Sequence, residues 1–518
     1  MKKKFLKLNY LVAFISTCIL LSCNKESLTN LNKPLNSLDY PIPANLFTAA
    51  LLNTPRDNYS VLAEGMQYFS TYKEVPAIGD KFYSFNGTEA DFGTYTGRLN
   101  LLYQLESAIQ APDLVNGRSM VRILRAYTYH QLTDVAGDIP YFEAVKGEQK
   151  ILSPKYDPQK DIYIDMFKEL DESADSLDPA KPTFGNSDLF YNGDVDKWKK
   201  FAYTLMLRLG MRLTKVDPAL AQTWVQKAIL GGVMTSDADI AKISYTNVSG
   251  GMNPKVQTSL LNGNYLNPQD PDNIEGGKYA ATFIDKLKST NDPRLPVISV
   301  VWVKPAGATA YVADTTRSIQ KGMISGSLNT KPLDFETYSE PSPLILNLAA
   351  PIIILGPAEA YLLLAEAALR GWYTGSTAQV AYENAVRAGM TQWALWAAVA
   401  PSTNIITEAQ INEYISSNPY LTGGTFEQQL QQISEQKWLS LFGDDYEVYA
   451  NWRRTGYPVL MPVNYPGNVT GGQMFRRFSI PITENLTNQA NYLEALKRQG
   501  FSESTNDNLL TRVWWDKP

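Results

Sequence analysis

Two neighbouring segments, PAEAYLLLAEAALRG at 357–371 and STAQVAYENAVRAGM at 376–390, constrain this chain more than any other feature. Apolar residues recur in both at helical spacing. Ala358, Ala365 and Ala368 on the first, and Ala378, Ala381 and Ala385 on the second, leave room for a partner helix to come close. Helix, turn and helix together take about 34 residues, the period of a stacked helical-hairpin repeat. Taken alone, the pair also reads as a coincidental hairpin; further pairs along the chain favour an array.

Those further pairs are visible. The face Leu99, Leu102, Tyr103, Leu105 and Ile109 predicts a helix over 91–111, and Ile123, Leu124, Tyr127 and Leu132 predict an antiparallel partner over 118–133. The second helix should stop at Gly137, ahead of Pro140. Another pair is expected over 160–177 and 196–213, with Asp194 or Asp196 capping the helix that begins near Trp198 after the Asn192-Gly193 turn. Further helices are expected near Ala44 and over 218–230, 407–416 and 425–441. The last runs on into DDYEVYANWRRTGYP at 444–458, where Arg453 and Arg454 should sit at the edge of the packing and pair with carboxylates or carbonyls. From 237 to 351 the pattern changes to Gly, Pro, Asn and Ser punctuation with short strands such as VISVVWV at 297–303. A long irregular insertion in a helical protein is where binding is expected.

The N-terminus carries a different signal. Lys2, Lys3, Lys4 and Lys7 precede the apolar run LVAFISTCILLS, too short to span a bilayer, and Cys23 follows at once. Leu20-Leu21-Ser22-Cys23 has the form of a bacterial lipobox; an ordinary signal peptide cut nearby is the plainer alternative. Cys18 lies within the signal, so the mature chain would keep a single thiol and no internal disulfide, consistent with lipidation at Cys23. Asn24-Lys25-Glu26 then resembles, weakly, an export tag of surface lipoproteins. The domain reading is a lipoprotein signal peptide at 1–22, a lipidated tether at 23–43 punctuated by Pro34, Pro41 and Pro43, and one globular domain at 44–518. Within that domain the helical scaffold takes 44–236 and 352–518, and the loop-rich part 237–351. The formal charge is −5 and falls further once the lysine-bearing signal is removed, which argues against a nucleic-acid partner.

Several segments, in order, carry a resemblance: LSCNKE at 21–26, RAYTYHQLTDVAGDIPYFEA at 125–144, PKYDPQKDIY at 154–163, DLFYNGDVDKWKKFAYTLMLRLGMRL at 188–213, NDPRLP at 291–296, PAEAYLLLAEAALRGW at 357–372, EVYANWRRTGYPVL at 447–460, RRFSIPITENLTNQANY at 476–492 and VWWDKP at 513–518. In combination they resemble the SusD/RagB family of outer-membrane nutrient-binding lipoproteins, specifically its second SusD-like branch. IPITENLTN departs from the family's usual Pro-x-x-Glu, which touches packing more than function. The resemblance implies a mostly α fold of tetratricopeptide-like pairs in a right-handed array, with a loop-rich insertion carrying short strands. It implies an outer-membrane lipoprotein of a Gram-negative bacterium, facing outward, that lies as a lid on a SusC-like TonB-dependent transporter. Such proteins hold an oligosaccharide or a peptide and hand it over without cleaving it.

The residues agree independently. His130 is the only histidine, and no nucleophile elbow, phosphate loop or dinucleotide fingerprint appears. No cofactor is expected; the acids at 188–196 lack the spacing of a calcium loop, and nothing supports a structural calcium. The alternative is a lipid-anchored polysaccharide hydrolase working through paired carboxylates, with Asp444 and Asp445, or Glu359 and Glu366, as candidates by type. Adjacent acids point apart on a helix, and Glu359 and Glu366 lie two turns apart among alanines, so both pairs read as structural.

Sugar binding needs flat rings beside hydrogen-bonding groups. One stretch, 68–95, offers Phe69, Tyr72, Phe82, Tyr83 and Phe85 beside Lys73, Asp80, Lys81 and Asn86. A second offers Tyr265, Tyr279, Trp302, Tyr311 and Tyr338 beside Asn264, Asn267 and Arg317. The expected ligand-contacting residues are Tyr72, Phe82, Tyr83, Tyr265, Trp302 and Tyr338. Trp514 and Trp515 are assigned to closing the core.

Overall fold

Capping chemistry sets where the helices of this protein begin. In a computed structural model, which describes residues 42–55, 59–72, 80–81, 89–246, 277–328, 330–398, 405–461, 463–501 and 509–518, α1 (Pro43–Leu52) leads to a short strand β1 (Phe69–Thr71). The signal peptide, Cys23 and the tether lie outside the described residues. Next come α2 (Asn100–Ala108) and α3 (Val115–Ala136); Gly137 stops α3 with φ at 82°. The two-residue strands β2 (Ile139–Pro140) and β3 (Tyr156–Asp157) pair antiparallel before α4 (Gln159–Ser176).

Asp194 caps α5 (Val195–Arg212), its side chain accepting from Lys197 N at 3.1 Å; Asp196 falls inside the first turn. Asp217 caps α6 (Pro218–Gly231), which has Pro218 at its first position, where a missing N–H costs nothing. Then follow β4 (Ala241–Ile243), β5 (Gly277–Tyr279), α7 (Ala281–Ser289), β6 (Ser299–Val303), β7 (Val312–Asp314), β8 (Glu340–Pro341) and β9 (Ile352–Leu355). The C-terminal helices are α8 (Pro357–Leu369), α9 (Ala378–Thr391), α10 (Glu408–Ser417), α11 (Phe426–Ser440), α12 (Asp445–Thr455) and α13 (Gln489–Arg498). Thr407 and Thr425 start α10 and α11 with capping boxes, closed by Gln410 and Gln428.

The tightest hairpin is α8 on α9, as their alanines require, followed by α5 on α6 and α3 on α4. Here the pairing differs from the sequence expectation: α3 lies chiefly against α4 and only secondarily against α2. The cause is a five-residue π-helical run, Tyr95–Leu99, which breaks at Gly97 and shortens α2. The fold is mostly α, made of tetratricopeptide-like pairs, with short strands of which β4 to β8 fall in the loop-rich part. One contiguous apolar core runs beneath the hairpins, and a small satellite around Tyr156, Ile480 and Tyr492 lies under α13. Among the described residues, no helix is long and apolar enough to cross a membrane.

Between the helices the core is charged. Arg208 and Arg212 of α5, Glu359 of α8, Lys437 of α11 and Glu447 of α12 are all buried and bonded to one another, with Lys437 Nζ 2.7 Å from Glu447 and 3.1 Å from Glu359. Arg454 grips Glu366 with two bonds of 2.6 Å. Arg453 donates to the carbonyls of Asp134 at 2.6 Å and Arg476 at 3.0 Å. Both arginines are 2% exposed, so they lie inside the packing rather than at its edge. Trp515 is fully buried and donates from Nε1 to Asp134 at 2.9 Å, closing the core.

Candidate functional site

Two distant stretches of chain become one surface through β1 and β5. They pair antiparallel, Phe69 opposite Tyr279, Ser70 opposite Lys278 and Thr71 opposite Gly277, so the two aromatic stretches picked out in the sequence are joined. Alternation along each strand then sorts the rings into a floor and a face. Phe69 stacks on Tyr279 at 4.8 Å, and both are buried. Beneath them Tyr68 stacks on Trp438 at 5.3 Å, and Trp438 Nε1 donates to Met66 O at 3.1 Å. Tyr279 is therefore floor: its hydroxyl donates inward to Ile298 O at 2.9 Å.

A second, three-stranded sheet lies beside this pair. Tyr279 N donates to Ser339 O at 2.9 Å, just ahead of β8; β8 pairs with β6, and β6 pairs with β7. On this edge Tyr72, half-buried, meets Phe335 edge-on with centroids 5.2 Å apart. Phe335 is closed in, with Lys278 Nζ 4.3 Å and Lys331 Nζ 5.2 Å over its ring. Lys278 is paired with Glu340; burial lowers its pKa, against the pull of that carboxylate. Tyr338, at the end of the same turn, is half-buried beneath Lys321, whose Nζ sits 4.3 Å over the ring and pairs with Asp334. Trp302, in β6, is half-buried, and its Nε1 is buried with no partner among the described residues. Since Val300 opposes Glu340, period-2 alternation puts Trp302 and Glu340 on one face of this pair. Ile324, whose carbonyl accepts from Ser70 Oγ of β1 at 3.0 Å, is 75% exposed.

Of the six residues expected to touch ligand, Tyr72, Trp302 and Tyr338 belong to these two neighbouring sheets and their flanking turns; Phe82, Tyr83 and Tyr265 lie outside the described residues, as do Lys73, Phe85, Asn86, Asn264 and Asn267. Three polar companions are engaged elsewhere. Asp80 and Lys81 form a buried ion pair at 2.9 Å that ties their turn to β1, Asp80 accepting from Thr71 N at 3.2 Å. Arg317 is held by the carbonyls of Leu287 and Asp292 at 3.0 and 2.8 Å. Tyr311 lies apart on the β6–β7 loop, under Lys304 at 5.6 Å. Phe335 and Lys278 were missed; the cue was PLDFETYSEP at 332–341, where Phe335 and Tyr338 share a three-residue spacing.

The carboxylates proposed for hydrolysis are structural in three cases of four. Glu359 is bidentate to Arg208, and Glu366 is shared by Arg454 and Arg370. Burial pushes the Glu366 carboxyl up, but the two guanidiniums pull it down to about 2. Asp444 caps α12, accepting from Glu447 N at 3.3 Å. Asp445 begins that helix, and burial beside Asp444 pushes its carboxyl up to about 8.

Residues 36–481 match the sequence profile of a family, SusD-like_2, whose description reads "Starch-binding associating with outer membrane". Solved structures align over 92% of this chain. One, named a chitin-binding protein, is 29% identical with a TM-score of 0.78 over all of its own length. Another, a SusD-like protein described as Bacteroidetes AC2a, is 26% identical with a TM-score of 0.79 and is likewise fully covered. A chitin-binding SusD homologue from Flavobacterium johnsoniae, 24% identical with a TM-score of 0.73 over 98% of its length, shares the fold. No curated protein matches the chain in sequence.

Proposed function

From a chain that belongs to the SusD-like family of outer-membrane-associated proteins, and from the aromatic face at Tyr72, Trp302 and Tyr338, we propose a cell-surface binder of oligosaccharide. It holds its ligand at this face and delivers it to a SusC-like TonB-dependent transporter, anchored meanwhile by lipid on Cys23. The carrying observation is the β1–β5 pairing, which brings rings from two separate stretches to one place. Rings half-exposed beside lysines and carboxylates are what a pyranose face and its hydroxyls need. A chitin-binding relative at 29% identity supports a glycan, and a peptide is the second ligand class to be tested. Binding without cleavage fits the engagement of Glu359, Glu366 and Asp444 in packing.

Native electrophoresis through gels holding soluble starch, glycol chitin or a peptide digest tests the ligand. Retardation by a glycan is expected, and Tyr72→Ala and Tyr338→Ala should each weaken it roughly fivefold, the worth of about 1 kcal/mol of ring contact. Free migration in every gel removes the proposal, and release of shortened glycan would install the hydrolase in its place. For the partner, the C-terminally tagged protein is recovered from detergent-solubilised outer membrane; a TonB-dependent barrel should come with it in near-equal amount.

A further inference from the structure

One face of α11 is built of amides. Gln428, Gln431, Gln432 and Glu435 recur at spacings of three and four, which puts them on one side of the helix, while Leu430 and Ile433 turn into the core. Facing that stripe are the end of α7, Tyr382 of α9, and the end of α10 with the turn after it. The space they enclose is a cleft of about 390 Å³. Its floor is closed by Tyr382 and Tyr414, both buried, and by Gln436, whose Nε2 donates to the Tyr414 hydroxyl at 2.6 Å.

The walls are pinned to one another. Lys286 of α7 pairs with Glu435 of α11 at 2.6 Å, and Asn418, just after α10, donates from Nδ2 to Thr290 O, at the end of α7, at 3.0 Å. A cleft held in shape by its own bonds has little ordering left to do when a ligand enters. Its charge is spent as well. Among the described residues lining it, Lys286 and Glu435 are the only ionic ones, and they neutralise each other.

What remains open is neutral and reaches solvent. Gln431 gives Nε2 to Glu435 at 2.7 Å and keeps Oε1. Asn418 gives Nδ2 to Thr290 O and Tyr414 O at 3.0 Å each and keeps Oδ1. Gln428 accepts at Oε1 from Thr425 N at 2.9 Å and keeps Nε2. Gln428 is exposed; Gln431 and Asn418 are half-buried, and neither free oxygen is sealed off. Two open acceptors and one open donor around an uncharged space suit hydroxyl groups, each of which both gives and takes a hydrogen bond. At the mouth, exposed Pro419 and Leu421 offer the apolar contact that the C–H face of a sugar ring needs. A hollow of roughly 150 Å³ takes one benzene, so this one has room for two rings.

We propose that this cleft is a second ligand site, holding one or two rings of a neutral sugar whose hydroxyls bond Gln428, Gln431 and Asn418 while a ring face lies on Pro419 and Leu421. Tyr72, Trp302 and Tyr338 do not line it, so it stands whether or not the sheet face takes a glycan.

Hydrogen-exchange mass spectrometry of the purified full chain tests this by position, because the turn at 418–425 is mostly exposed. Maltose, cellobiose and N,N′-diacetylchitobiose are titrated in turn, and at least one should give saturable protection of peptides covering 411–436. Gln431→Ala removes an open acceptor and substitutes a good helix former; it should raise the half-saturating concentration about 5- to 10-fold, the factor for a single hydrogen bond. Gln428→Trp, which sets a bulky ring in the cleft, should abolish the protection with circular dichroism unchanged. If Gln428→Trp does not fold, Gln431→Ala decides. No protection at 411–436 with any of the three sugars overturns the proposal, as does protection undiminished in the folded variants or given only by a peptide digest. Protection at 299–341 reports on the sheet face and is read separately: found alone, it overturns this site and leaves the other, and its absence while 411–436 is protected leaves this site standing.

Discussion

Glu447 faces three cations at once. Arg212 reaches it with Nη1 at 3.1 Å, Lys437 at 2.7 Å and Arg208 at 3.5 Å, all in the interior. Burial raises its pKa, but Arg212, Lys437 and Arg208 outweigh that and hold the carboxyl well below its ordinary range. A depressed carboxylate adds stability above its unfolded pKa, lost only as pH falls through the lower folded value. Glu447→Gln takes a carboxylate from three buried cations and should cost about 3–5 kcal/mol in urea unfolding at pH 7; a loss under about 1 kcal/mol would mean the neighbours share the load. Asp445 runs the other way. Burial, then Asp444, raises its carboxyl to about 8, so the native state keeps a proton that the unfolded chain has shed. Stability should therefore fall as pH rises from about 4 through about 8. Asp445→Asn removes that contribution: its melting temperature should gain on the parent as pH climbs across this window, and parallel curves would refute the assignment.

At the scale of elements, close approach is the controlling quantity. Gly389 in α9 faces α11 so tightly that a Cβ there would stand 2.4 Å from Ser440 Oγ and 3.0 Å from its Cβ. Glycine to alanine in an open helix stabilises. Gly389→Ala should instead destabilise by about 1–3 kcal/mol through overpacking, and a raised melting temperature would show that the helices have slack. Long amphipathic helices were readable from sequence because their signal repeats over several turns: α4, α5 and α6 begin and end within two residues of expectation. α7 was not readable. It is nine residues long inside a Gly-, Pro- and Asn-rich stretch, and its face of Phe283, Ile284 and Leu287 spans barely one repeat. The candidate site was half legible. Tyr72 and Tyr338 announced themselves by residue type, whereas Phe335, the burial of Asp80 and Lys81 and the engagement of Arg317 depend on which strand lies beside which. Local patterning carries no information about that.

Across the whole molecule, ligand and fold are linked by mass action. A saturating oligosaccharide at about 100 times its Kd should stabilise the folded chain by about 2.7 kcal/mol. Thermal melts with and without glycan read this directly; coincident melts at saturation would place the bound sugar on the unfolded chain as well. The four-helix charge cluster makes the array unfold as a unit in such a melt, since α5, α8, α11 and α12 share its carboxylates. The β1–β5 pairing adds a constraint in time. Tyr72 leaves the ribosome long before Phe335, and the stretch between takes on the order of tens of seconds to make. Until that stretch exists, half of the proposed face has nothing to lie against. On the proposed binding role a partly made chain lacks half of its site, so the ligand meets only finished protein and cannot guide the chain to its shape.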